Sequence, residues 1–357
     1  MTIKSSMRGP VLIGGPARSG KTLLTRVINE ANGPVKALPI EGLFTVFLYR
    51  KYLLFSRQKK GILKDYLSRT RPLDEKRQKM SKPIDFFKTS LEEIEEKIPL
   101  HIKHQIQLLD YSLKIFSNDN NSETWAACDL HPEFDFKSFH RLIPNLKLVI
   151  MIRNPVETVC ANLYLGSYPE RPNKDRGVLQ KKLLMWCLSA QTALMYKKKY
   201  PECIHILRFN NLLQNIGPDC EEMEKIFDIP KESYSQAVGQ QQCLFTYKNN
   251  KYYSPAHRWQ DLLRPDEIKL INYMAEPYLK PLGIVTADPV PQEDYPQAYC
   301  AFILFAKVIL KLASFNPVMG KLLTDTLMHD RMKYFNRRKA ILRFFITSHI
   351  KALGLWK

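Results

Sequence analysis

This chain of 357 residues lacks the cysteine patterns of metal-binding and disulfide-stapled proteins. Its seven cysteines, at 128, 160, 187, 203, 220, 243 and 300, are odd in number, scattered, and never spaced C-x-x-C. That excludes a zinc-ribbon type of site and a disulfide framework, and it fits a reducing compartment. A bilayer-spanning run is also missing. The most apolar stretch, CAFILFAKVILKLASF at 300–315, is shorter than the roughly 20 residues a span needs, and Lys307 and Lys311 interrupt it. The opening residues MTIKSSMRGP are too short and polar to read as a signal peptide or anchor, so a cytoplasmic protein is expected. There is no internal repeat and no low-complexity tract. His101 and His104 have helical spacing but no third ligand near them, which points to an exposed face and no metal.

Acidic residues are scarce in two places. The formal charge is +19, and segment 50–82 carries 12 Lys/Arg against 3 Asp/Glu, while 301–357 carries 11 against 2. The remainder is nearly neutral. A basic excess confined to two appendages suits an acidic partner, such as an anionic membrane surface or glycan; no specific nucleic acid is expected.

What is present is an alternation of strands and helices. Apolar, β-branched runs at Val11–Gly14, Val35–Pro39, Thr124–Cys128, Leu146–Ile152 and Cys203–Phe209 read as buried parallel strands. Helical patterns follow at Thr22–Glu30, Ser90–Ser117, Val156–Leu165 and Val178–Tyr200. The expected fold is therefore α/β, a P-loop-like three-layer arrangement with a central five-stranded parallel sheet and helices on both faces. Its expected span is 1–288, with a basic helical insertion at about 50–120. A Pro-containing linker at 289–299 leads to a basic helical C-terminal extension at 300–357, with helices at Ala301–Phe315 and Met332–Leu353.

The first strand runs into GGPARSGKTLL, residues 14–24. A strand, a glycine-containing turn and a helix make a phosphate cradle, because small residues admit the phosphate and the helix N-terminus supplies N–H groups. From Gly15 the loop spells G-x-x-x-x-G-K-T, as in kinases and nucleoside triphosphatases. Such an enzyme also needs a carboxylate to organise magnesium. Asp129 offers one, but the fourth strand ends in a cation, Arg153, within VIMIRNPVETVCANLY. That second strand–turn–helix makes a second anion site. Two separate phosphate clusters and no metal requirement describe 3′-phosphoadenosine 5′-phosphosulfate, PAPS.

On these residues the chain resembles the PAPS-dependent sulfotransferase family, of the bacterial and glycan-modifying kind. Four ordered pieces spread over 9–285 carry the resemblance. GGPARSGKTLLTRVINE is similar to the 5′-phosphosulfate loop, and LIPNLKLVIMIRNPVETVCANLY to the 3′-phosphate segment. HILRFNNLLQN is similar to the R-Y-E-D-L strand end, and SPAHRWQDLLRPDEI to the segment that closes over the nucleotide. The resemblance implies that Gly15, Arg18, Ser19, Gly20, Lys21, Thr22 and Leu23 hold the 5′-phosphosulfate. It also implies that Arg153 pairs with the 3′-phosphate, with Arg258 and Trp259 closing that site. Arg18 is implied in catalysis, facing the charge that develops on the leaving group. Three departures are plain. Ala161 stands where the family has a serine, and Asn162 beside it is a substitute donor. Arg208-Phe209-Asn210-Asn211-Leu212 lacks the phenol and acids of its motif. Lys21 replaces a Thr or Ser.

Transfer to a hydroxyl needs a proton acceptor. Glu41, in LPIEGLF, matches the glutamate of glycan-modifying members and is the favoured base. His131, in CDLHPEF, resembles the catalytic histidine of the cytosolic small-molecule members and is placed to orient the acceptor. The expected acceptor is a carbohydrate or glycolipid hydroxyl. A small alcohol or phenol acceptor, and a kinase or triphosphatase using the G-x-x-x-x-G-K-T loop, are the competing readings.

Overall fold

A computed structural model describes residues 9–41, 71–72, 88–99, 102, 105–164, 176–214, 218–248, 259–260, 262–284 and 299–327. The expected insertion other than Arg71–Pro72 up to residue 87, His101 and His104, Arg258, and the expected helix at Met332–Leu353 lie outside the described residues.

Five parallel strands form the sheet, as the apolar runs imply. They are β1 (Val11–Gly14), β2 (Val35–Glu41), β4 (Thr124–Cys128), β5 (Lys147–Ile152) and β6 (Ile204–Arg208). A two-residue strand, β3 (Arg71–Pro72), pairs antiparallel with the end of β2, so the order is β3-β2-β4-β1-β5-β6. Side chains alternate across this sheet with period two, and both faces are buried. Leu12, Trp125, Ala127, Leu148, Ile150 and Ile152 enter one core layer. Val11, Ile13, Ala126, Cys128, Val149 and Met151 enter the other.

Helix α1 (Lys21–Glu30) follows β1 and covers the second layer. The expected helix at Ser90–Ser117 is instead two, α2 (Leu91–Glu96) and α3 (Gln105–Asp119). Pro99 breaks it, its carbonyl accepting the Ile102 N–H at 3.1 Å, because proline cannot continue the ladder. Ser90 caps α2 by accepting the Glu93 N–H, 3.1 Å. After β4 comes a 3₁₀ turn at Pro132–Phe134, then α4 (Phe136–Leu142). Helices α5 (Pro155–Tyr164) and α6 (Arg176–Lys199) link β5 to β6 across the first layer. Phe209, expected to close the last strand, opens α7 (Phe209–Gln214) instead. Helices α8 (Pro218–Phe227), α9 (Lys231–Lys248) and α10 (Pro265–Leu279) follow.

Helices α11 (Cys300–Phe315) and α12 (Pro317–Leu327), expected as an extension, share the main core. Phe302, Ile303, Ala306, Ile309, Ala313 and Leu323 bury in the layer that holds α6. Gln191 of α6 donates to the Leu310 carbonyl at 2.9 Å. No helix among the described residues is long and apolar enough to cross a membrane.

Candidate active site

The connection from β1 runs over one face toward β2, and that from β5 runs over the other toward β6. Neighbouring strands whose connections diverge leave a crevice at their carboxyl ends, where open α/β sheets bind ligands. β1 runs into the phosphate loop and β5 ends one residue before Arg153, so the topology brings the two predicted anion sites to neighbouring strand ends.

The loop depends on two glycines. Gly15 has φ +112°, and a Cβ there would meet the Met151 carbonyl oxygen at 2.2 Å. Gly20, φ +98°, precedes α1, and its Cβ would meet Phe209 Cδ2 at 2.2 Å. Only glycine fits both constraints. Lys21 is buried and donates from Nζ to the Gly15 carbonyl at 2.9 Å. Ser19 is fully buried, and its Oγ has no hydrogen-bond partner among the described residues. A buried, unpaired hydroxyl is costly, and a phosphate oxygen in the loop would satisfy it. Thr22 and Leu23 form the first turn of α1, with Leu23 in the core and Thr22 half-buried.

Six described non-glycine residues have positive φ. Four are Asn or Asp, which tolerate it; the other two are Arg18 (+68°) and His131 (+57°). Unfavourable backbone geometry thus falls on two residues chosen from the sequence for chemistry, as strain at functional sites often does. The Arg18 side chain is exposed.

Arg153 is 8% exposed. Its Nε and Nη2 both lie 2.7 Å from Glu157 Oε2, and its guanidinium sits 4.5 Å from the Phe209 ring centroid. Its carbonyl accepts from Trp186 Nε1 at 3.0 Å. Ala161 is buried, so a methyl there leaves no polar atom stranded. Asn162 does not present a free donor to the 3′ side. Its Nδ2 donates to the Ala17 carbonyl at 2.9 Å and to the Thr158 carbonyl at 2.8 Å, which uses both amide hydrogens. It is a strut between α5 and the phosphate loop. Trp259 packs half-buried against the main core.

Glu41 closes β2 and is in register with Cys128 at the end of β4, so the two base candidates leave adjacent strand ends. His131 caps the 3₁₀ turn, its side chain 14% exposed. Its Nδ1 lies 3.2 Å from Oε1 of Glu133, a fully buried residue that the sequence reading missed. Oε1 also accepts from Ser189 Oγ of α6 at 2.6 Å, and Oε2 accepts the Gly15 N–H at 3.1 Å. Burial alone would raise the Glu133 carboxyl, but the His131 and Ser189 hydrogen bonds and the Lys21 charge outweigh it and hold it at about 2. Burial pushes the His131 imidazole below its ordinary range, against the pull of Glu133. Lys321 of α12 lies beneath, 3.9 Å from Asp135 and 5.8 Å from the Phe134 ring centroid. Asp129 is buried at the end of β4, with Oδ1 accepting the Leu130 N–H.

The model of the family described as "Sulfotransferase family" matches residues 10–233. The chain belongs to the sulfotransferase family. Among solved structures it is similar to the sulfotransferase STF9 from Mycobacterium avium, at 10% identity over 78% of each chain, with a TM-score of 0.44. No curated protein matches. The family match, and not this distant likeness, carries the assignment, and it answers the triphosphatase reading of the loop. A sulfotransferase moves a sulfuryl group, in general to a hydroxyl. Among the described residues no group of three His, Cys, Asp or Glu is placed to hold a metal ion.

Proposed function

We propose that this sulfotransferase takes the sulfuryl group from PAPS and passes it in line to a hydroxyl on a carbohydrate or glycolipid. The buried Ser19 hydroxyl, unpaired inside the glycine loop and one strand from Arg153, carries the donor reading. When bound, PAPS supplies an activated sulfuryl group on a phosphate leaving group. Gly15, Arg18, Ser19, Gly20, Lys21 and Thr22 hold the 5′-phosphate, and Arg18 steadies charge as it develops there. Arg153 takes the 3′-phosphate as a guanidinium fork, with Arg258 and Trp259 completing that side. Asn162 holds the loop rather than the nucleotide.

We place the proton acceptor at His131, ahead of Glu41, which the sequence spacing favours. What supports this is the Glu133 partner and the left-handed backbone of His131. Comparing turnover of Glu41→Gln and His131→Ala decides it; full activity in His131→Ala would return the role to Glu41. With the base at His131, the carbohydrate acceptor rests on the basic insertion. Peripheral contact with an anionic membrane is supported by Leu304, Val308 and Phe315, 61%, 59% and 69% exposed on α11 beside Lys307 and Lys311. Flotation with anionic liposomes tests that contact, and loss of flotation in Leu304→Asp is expected.

The donor is tested by equilibrium binding of adenosine 3′,5′-bisphosphate in EDTA and of ATP with and without magnesium. Tight, metal-independent bisphosphate binding is expected. Magnesium-dependent ATP binding without bisphosphate binding would overturn the proposal.

A further inference from the structure

Glu133 is a charge that the family resemblance does not account for. It is fully buried, lies outside all four sulfotransferase-like segments, and touches both the phosphate loop and the imidazole. Its two oxygens receive three donors from three parts of the chain. The Gly15 N–H reaches Oε2, and a backbone amide can only donate, so Oε2 is an acceptor. Ser189 reaches Oε1 at 2.6 Å, the short range of a hydroxyl on a carboxylate. The remaining neighbour of Oε1 is His131 Nδ1 at 3.2 Å. An acceptor-only carboxylate requires that nitrogen to carry the hydrogen. The other nitrogen, Nε2, then bears the lone pair, and no described residue hydrogen-bonds to it.

We propose that Glu133 is a positioning residue that locks His131 in the Nδ1–H tautomer and fastens it to the phosphate loop through Gly15. This deepens the proposed sulfuryl transfer and rests on it for the identity of the reaction. In the transfer step the acceptor oxygen forms its bond to sulfur while its proton passes to Nε2. The bond from sulfur to the phosphate oxygen breaks, and the bisphosphate leaves with that electron pair. Glu133 then faces an imidazolium, whose charge it offsets without taking the proton. Among the described residues the charged groups facing the ring are Glu133, Lys21 of α1 and Lys321 of α12; the two lysines oppose the imidazolium and the carboxylate favours it. The tie to Gly15 makes the base and the donor loop one rigid unit, so orientation on the acceptor side follows orientation on the donor side.

The test is nitrogen-15 NMR of the imidazole in the full-length protein, at a pH where His131 is neutral. In the unaltered protein the hydrogen is expected on Nδ1, and a hydrogen on Nε2 overturns the proposal without need of any variant. In Glu133→Gln the amide can donate to Nδ1, so the tautomer is expected to shift toward Nε2–H and the imidazole pKa to fall by about one unit. A folded Glu133→Gln that keeps the Nδ1–H tautomer also overturns it. Ser189→Ala removes one donor and is expected to keep the tautomer; its loss there would assign the role to Ser189. Bisphosphate titration runs alongside. Absent binding defeats the donor reading, while the tautomer result still decides the role of Glu133.

Discussion

The guanidinium of Arg153 and the backbone of Gly20 meet on one phenyl ring. Arg153 stacks 4.5 Å from the centroid of Phe209, and the ring edge stands where a Cβ on Gly20 would be. Phe209 therefore sits between the two proposed anion sites, and it begins α7 directly after β6. Gly20→Ala combines a left-handed backbone with a steric overlap, and we expect it to cost about 2–4 kcal/mol of stability. In a Phe209→Ala background the overlap is gone and the cost should fall by at least about 1 kcal/mol. Urea unfolding of the four proteins of this cycle measures the coupling; additive losses would mean that the ring does not set the spacing.

Ser19 should show opposite signs in stability and binding. Its hydroxyl is buried and unpaired, so Ser19→Ala is expected to raise stability slightly, by up to about 1 kcal/mol. The same change removes a donor to phosphate and should weaken bisphosphate binding by roughly tenfold. Thermal denaturation and calorimetric binding report the two effects separately. A variant that loses stability and binds normally would assign the hydroxyl a structural role.

Much of this was legible early. β1, β4 and β5 are read from the sequence because they are buried on both faces and so are apolar along nearly their whole length, whereas β2 and β6 carry polar residues such as Lys36 and His205 and are read from their remaining apolar positions. Arg18, Ser19 and Lys21 were visible because a glycine turn between strand and helix has few other uses. Glu133 was not, because its role comes from approach to Gly15 and Ser189 across the fold. The signal available was its place two residues after His131 in CDLHPEF. Phe209 was legible as a strand end and as a phenol lost from a motif, not as the ring that Gly20 and Arg153 share. Asn162 was legible as polar but not in function, since the partner that decides it is a carbonyl far back in the chain. The C-terminal helices looked like an appendage because a lysine-punctuated apolar helix does not reveal which core it joins.

Asn162→Ala should separate loop support from nucleotide contact. The amide holds Ala17, on the 5′ side, so its loss should weaken adenosine 5′-phosphate and the bisphosphate by the same factor, with about 1 kcal/mol of stability lost. Affinities for the two ligands are compared directly. A loss confined to the bisphosphate would put Asn162 on the 3′-phosphate.

Acid should act through Glu133. Its carboxyl is held at about 2 against an ordinary 4.5, so on acidification the unfolded chain takes up this proton first. The stabilisation is therefore complete above about pH 4.5 and is lost as pH falls toward 2. His131, pushed down by burial, acts in the same direction below its ordinary 6.5. Asp135, pushed up by burial, acts in the opposite direction. The difference between unaltered protein and Glu133→Gln reports this carboxyl together with the pull it exerts on His131. Unfolding free energies should differ most near neutral pH and converge near pH 2; a constant difference would show that the carboxylate is not held low.

The proposed two-phosphate site is tested most directly by asking what the 3′-phosphate contributes, and through which residue. Calorimetry gives the affinity ratio of adenosine 3′,5′-bisphosphate to adenosine 5′-phosphate, for the unaltered protein and for Arg153→Ala, without metal. A charge-assisted fork contributes about 2–3 kcal/mol, so the ratio should be about 100 and should fall below about 10 in the variant. A ratio near one in the unaltered protein, or one that Arg153→Ala leaves unchanged, would contradict the assignment.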